Sequence, residues 1–362
     1  MRRFTNHQSV RAARRGFTIV ELLMVVGILL FLIATSAFVV RNIGNKAREK
    51  ATMATIVKTN SLLTQRIQAF HKTLDSSRTQ KLMQSRMNGK RAQLVSTTGN
   101  KKFNALSAPV IEILVRKDLF REQFPQFVGD NVQVNAAMDA LVGAANTAGS
   151  TGTDGGASIS SEYLYYTLTQ FDALGISPVG EDAFTASEVR DTDGDGLKEI
   201  VDGWGKPIRF YRWPTRLIRP YQGLVAGQPD PVLRQVAGAL FSGLPPVPSP
   251  GSNEPDPLNI DADDPLGRLV AENTRTNGML NSIFNTTATY YYDKTKLMPC
   301  EYPVMSTFSM PLIVSAGEDG ILGLYEPFNV TNNGVLAQPI SIPVGEGIYD
   351  NITNHNQRAG GR

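Results

Sequence analysis

Residues 17–40 are apolar almost throughout, and beyond Arg41 the chain passes without a break into a pattern with helical period. The apolar run is 24 residues long, enough for a helix to cross the ~30 Å of a bilayer's hydrocarbon. In the amphipathic part Ile56, Leu63, Ile67, Phe70 and Leu74 recur at helical spacing. No proline occurs before Pro109 and no glycine between Gly44 and Gly89. The pattern predicts one helix from Phe17 to about Leu74, ~90 Å long at 1.5 Å per residue. Its first half is apolar all round, and its second half has one stripe to lay on a globular head.

Downstream the periodicity is weaker. Residues 75–143 read as helical or mixed, with apolar stretches at 110–115 and 119–128. Residues 144–161, rich in Gly, Ser, Thr and Ala, read as a linker or long loop. Residues 162–171 fit either a helix or a strand. Strands are expected at 207–213, 287–292 and 312–315, where β-branched or aromatic runs are bounded by Gly, Pro or Asp. Between the first two, residues 214–265 are rich in proline and carry Glu254, Asp256, Asp261, Asp263 and Asp264, which read as a solvated stretch. The expected fold class is α+β, a long helix packed on a small antiparallel sheet.

The formal charge of +3 is misleading as a guide to partners. Residues 1–16 hold five arginines and no acid; without them 31 Lys+Arg face 33 Asp+Glu, a net −2. The basicity therefore does not point to nucleic acid. It fits the positive-inside rule, with residues 1–16 cytoplasmic and the chain beyond 40 outside. One cysteine, Cys300, leaves no internal disulfide framework and reads as a buried thiol. His7, His71 and His355 are too few for a histidine-based metal centre or triad; His71 reads as a helix-surface residue and His355 as part of a disordered polar tail. Neither G-x-x-x-x-G-K-[ST] nor G-x-S-x-G is present, so no enzyme is expected. Trp204 and Trp213 read as core residues rather than as a binding face.

Two groups of carboxylates carry chemistry. The first is Glu21 alone, in a segment otherwise ready for a membrane, where an ionised side chain costs ~2.5–3.5 kcal/mol at the centre of a span and is tolerable only with a partner. A conventional secretory signal cut after Ala37, a twin-arginine signal around Arg14-Arg15 and a plain anchor all compete for this N-terminus, and none accounts for Glu21. The second group is Asp191, Asp193, Asp195, Glu199 and Asp202, at positions 1, 3, 5, 9 and 12 of a twelve-residue stretch, with Gly196 at position 6 and the Leu197 carbonyl at position 7. That is calcium-loop spacing, against the alternative of an exposed acidic turn. Gly203-Trp204-Gly205-Lys206-Pro207 prevents the exiting helix of an EF-hand.

Gly16-Phe17-Thr18-Ile19-Val20-Glu21-Leu22-Leu23 behind the basic residues resembles the processing motif of type IV pilins and type II secretion pseudopilins. Farther on, Asp202-Gly-Trp204-Gly205-Lys-Pro207-Ile-Arg-Phe210, Ser315-Ala-Gly317-Glu-Asp319-Gly320 and Asp350-Asn-Ile resemble, in that order, three elements of the major pseudopilin. The resemblance implies a leader at 1–16 cut between Gly16 and Phe17 by a prepilin peptidase, with N-methylation of Phe17. It implies a transmembrane helix at 17–40 in the inner membrane and its amphipathic extension at 41–75. Residues 76–161 would be an insertion with its linker, 162–354 a head carrying a second insertion at 214–300, and 355–362 a tail. It further implies that the Phe17 amine of one copy neutralises Glu21 of the next, and that Asp319 and Asp350 are ligands of a Ca²⁺ ion. The expected function is a structural or initiating subunit of a pseudopilus or type IV-like filament, with other pseudopilins or copies of itself and the inner-membrane assembly platform as partners. The alternative is an anchored calcium-dependent binding protein that does not polymerise.

Overall fold

The computed structural model describes residues 18–127, 140–142, 156–172, 174, 177–213, 240, 263–283, 311–329, 334, 337, 340 and 346–356. Gly16, Phe17, Cys300, the strand expected at 287–292 and the acids Glu254, Asp256 and Asp261 lie outside the described residues. The class is α+β, helices with small antiparallel sheets. The chain divides into two compact units, Met1–Ala47 and Arg48–Arg362, and helix α1 (Ile19–Leu74) contributes to both.

In the first unit α1 starts with a capping box. The Glu21 carboxylate accepts from the Thr18 amide at 2.9 Å and from its hydroxyl at 3.0 Å, and Thr18 Oγ1 accepts from the Glu21 amide at 3.2 Å. Helix-end amides that have no carbonyl partner are thereby satisfied. The following apolar side chains, among them Leu22, Phe31 and Ile33, are exposed. Ile19–Ser36 is long and apolar enough to cross a membrane, a property that suits a single span and a signal sequence alike.

In the second unit α1 buries one stripe, running through Thr52, Thr55, Ile56, Thr59, Leu63, Phe70 and Leu74. Helices α2 (Gln80–Thr98) and α3 (Ala108–Gln123) pack on each other. Ion pairs Lys90–Asp118 at 2.9 Å and Arg86–Glu122 at 3.1 Å join them. Phe70 of α1 meets the ring edges of Phe120 and Phe124 with centroids 5.7 and 5.9 Å away, so the three helices share one apolar cluster. Helix α4 (Ile159–Thr169) resolves the helix-or-strand ambiguity at 162–171. It is buried along its whole length, and a helix enclosed on every side shows little periodicity. Ile159, Ser160 and Ser161, read from the sequence as linker, form its first turn.

Strands β3 (Arg209–Tyr211), β4 (Leu312–Ser315) and β5 (Ile352–Thr353) form an antiparallel sheet in the order β3-β4-β5. Register pairs Phe210 with Ile313 and Ser315 with Ile352. Side chains alternate between faces. Phe210, Ile313 and Ile352 join the helix-side cluster, whereas Tyr211, Leu312 and Val314 join a second cluster with Leu322, Leu324 and Ile348. Trp213 is buried in the helix-side cluster and Trp204 packs against it.

Three sequence expectations change. Asp263 and Asp264 are buried, not solvated. Asp264 accepts from the first amides of helix α5 (Arg268–Arg275), Arg268 at 2.7 Å and Leu269 at 2.8 Å, and Asp263 lies 3.8 Å from Lys117 Nζ. His71 is half-buried, its ring 5.3 Å from that of Phe70. His355 is half-buried and held, because its Nε2–H donates to Pro311 O at 3.0 Å beside an Asn354 side chain that reaches Asn60 of α1 at 2.9 Å.

Burial pushes His355 down to about 4 from its ordinary 6.5. The folded protein therefore favours the neutral ring, and below pH 6.5 the unfolded chain takes up the proton first. Stability from this group should be present above pH 6.5 and be lost as pH falls towards 4, by at most ~1.4 kcal/mol per pH unit. Urea unfolding of the parent and of His355→Gln across that range checks it: the parent should lose stability relative to the variant on acidification.

Candidate metal centre

The acidic stretch Asp191–Asp202 lies mainly in the connection of a β-hairpin. Strand β1 (Val189–Arg190) pairs with β2 (Glu199–Ile200), Arg190 opposite Glu199. The turn between them is built by its own aspartates. Asp191 accepts from the amides of Gly194 at 2.7 Å and Gly196 at 3.1 Å, Asp193 from that of Asp195 at 3.2 Å, and Asp195 from that of Leu197 at 2.8 Å. Gly194 and Gly196 have φ of +83° and +92°, which only glycine adopts without strain. The Leu197 side chain is buried and anchors the far end of the turn in the core.

This turn presses Asp193, Asp195 and Glu199 against Glu162 of α4, and one oxygen from each of the four lies within 4.8 Å of the others. Oxygens bound to a single cation at 2.3–2.6 Å span about that distance, so the four fit one coordination sphere. Glu162 and Glu199 are fully buried. Glu199 accepts from the Thr192 amide at 2.6 Å through Oε2, while its Oε1 and Asp195 Oδ2 have no hydrogen-bond partner. Burial raises the Glu199 carboxyl to about 8, with the negative charges of Glu162 and Asp193 adding to it; burial also raises Asp195, whose neighbours Asp193 and Asp191 act in the same sense. Carboxylates held together in this way favour either a proton or a cation. The cluster can hold a metal ion.

Not every predicted ligand joins it. Asp191 is exposed and occupied by the turn amides. Asp202 is buried and turned away: Oδ1 accepts from the amides of Trp204 at 2.9 Å and Lys206 at 3.0 Å, and Oδ2 from the Ser315 hydroxyl of β4 at 2.7 Å. Glu162, which the loop spacing did not include, completes the four. Its signal was visible in the sequence as one acid within the otherwise uncharged stretch 156–171. Asp319 and Asp350 stand together outside this group. The Asp319 amide donates to Asp350 Oδ2 at 3.2 Å, and burial, with the Asp319 charge, raises Asp350 to about 6. Gly317, at φ +69°, lets the Asp350 backbone approach, where a Cβ would collide with it.

Comparison with protein families, with curated proteins and with solved structures returns no match for this chain.

The geometry separates ligands from scaffold. A divalent cation, added as calcium or magnesium chloride to the full-length protein in detergent, should raise the unfolding temperature over that in chelator, by ~1.4 kcal/mol of linkage at ten times Kd. Glu162→Gln should cancel that rise. Asp202→Ala should instead cost about 1–3 kcal/mol with or without cation, since it strands two amides and a buried hydroxyl, and should reduce the rise without cancelling it. Thermal unfolding followed by circular dichroism reads all three.

Proposed function

We propose that this protein is a structural or initiating subunit of a type II secretion pseudopilus or a related type IV-like filament, cut after Gly16 by a prepilin peptidase. Residues 17–40 hold it in the inner membrane with the head outside until it joins other pseudopilins or copies of itself at the assembly platform. The observation that carries this reading is the exposed apolar helix Ile19–Ser36 with one carboxylate in it. An anchor needs the apolar surface but not the acid. A bundle of such helices needs both, because pairing Glu21 with the Phe17 amine of a neighbour fixes axial register where an unpaired charge would be costly. The ion at the four-carboxylate cluster is calcium on this reading. A set made only of oxygen donors, four of them from protein carboxylates and two of those on an adaptable turn, suits Ca²⁺; Mg²⁺ keeps most of its waters and takes one or two carboxylates.

The Thr18–Glu21 capping box gives the carboxylate a second role, and a substitution divides the two. Glutamine at this position can keep the capping box while removing the charge. Glu21→Gln and Glu21→Leu should both be processed and inserted, yet enter sheared filaments on the order of a hundredfold less than the parent, as expected when one partner of a buried ion pair is lost. Immunoblotting of the filament and membrane fractions measures this. Glu21→Gln assembling like the parent would reduce Glu21 to a helix cap, and absence of the parent itself from sheared filaments would favour the anchored, calcium-dependent binding protein that does not polymerise.

A further inference from the structure

We propose that cation occupancy at Glu162, Asp193, Asp195 and Glu199 sets the grip of the Asp202–Lys206 turn on α1, an inference that rests on the cluster holding a cation. Support for a ligand there comes from Glu199, which is fully buried yet leaves Oε1 without a hydrogen-bond partner among three other carboxylates.

The path to α1 is short. Three residues separate Glu199 from Gly203, whose amide donates to Thr52 Oγ1 at 2.8 Å. Gly203 lies so close to α1 that a Cβ would collide with the Arg48 carbonyl, so only glycine permits this approach. Thr52 is itself fixed, its hydroxyl donating to Arg48 O at 2.9 Å. A second contact runs through β1: the Val201 amide donates to Glu188 O at 2.8 Å, and the Glu188 carboxylate takes the ammonium of Lys58 at 2.5 Å. The β1–β2 hairpin and the turn that follows it therefore touch α1 at Lys58 and at Thr52, about 1.7 turns apart. Its other side is tied to α4 by Ser161 Oγ donating to Ile200 O at 2.9 Å, next to Glu162.

The hairpin has two residues per strand, and so few ladder bonds resist displacement weakly. With no cation, nothing bridges the turn to Glu162, and β2 is free to carry Gly203 off Thr52. A bound cation ties the hairpin to α4, which seats Gly203 on α1. Coupling of this kind is reciprocal, so loosening the grip must weaken cation binding.

The test uses the full-length protein in detergent, with calcium affinity measured by titration calorimetry and backbone opening by hydrogen exchange. At ten times Kd, exchange in peptides covering residues 48–58 should slow about tenfold, as mass action on an open and a seated state requires. Thr52→Val should bind calcium severalfold more weakly although it touches no carboxylate, and Thr52→Ser, which keeps the hydroxyl, should bind like the parent. Calcium binding with unchanged exchange at 48–58 and an unaltered affinity in Thr52→Val would overturn the coupling while leaving the metal site standing. No calcium binding by the parent would overturn both.

Discussion

Two fully buried glutamates, Glu162 on α4 and Glu199 on β2, face each other with Asp193 and Asp195 beside them. Bringing two glutamates fully and two aspartates partly out of water into one cluster is unfavourable unless positive charge or protons join them. The head is arranged around that constraint. Glycines at 194 and 196 turn the chain tightly enough to bring the aspartates in, and the buried Leu197 pins the turn. The next residues form the Asp202–Lys206 turn, whose buried Asp202 joins it to β4 through Ser315. A repulsive cluster thus sits at the junction of α4, the β1–β2 hairpin and, through it, α1.

Helix α1 meets two environments with one continuous backbone. Within Ile19–Ser36 apolar side chains cover every face, a surface suited to lipid or to other apolar helices. Within the second unit the buried stripe begins with threonines at 52, 55 and 59 and becomes apolar at Leu63, Phe70 and Leu74. The polar start is where the head's backbone comes closest, at Gly203, and a hydroxyl satisfies an amide that a leucine would leave unpaired. The apolar end is where whole side chains interlock with α3, around Phe120 and Phe124.

Local signals were the most legible part of the sequence. The long helix followed from an apolar run, a helical stripe and the lack of proline, and β4 from four apolar or small residues between a proline and a glycine turn. The acidic stretch was legible as a turn with ligand spacing, and the absence of an exiting helix pointed away from an EF-hand. Which acids converge was not legible, because that depends on pairing across the chain: Glu162 comes from a helix some thirty residues upstream, whereas Asp202, in register by spacing, faces the sheet instead. Burial was misread wherever a polar residue serves tertiary structure, as with Asp264 at the start of α5, Ser161 beneath β2, and His355 against Pro311. Composition makes such residues look solvated, and only the fold supplies the amide or carbonyl that makes their burial tolerable.

The central claim, a subunit that enters a filament through a processed apolar helix, is tested most directly by the mass of the N-terminal peptide of the protein purified from membranes. Cleavage between Gly16 and Phe17 by a cytoplasmic-side peptidase predicts Phe17 as the first residue, carrying one methyl group on its α-amine. A mature chain beginning at Phe38, after the small residues Thr35-Ser36-Ala37, would contradict it, since Glu21 and the entire apolar helix up to that point would have been removed.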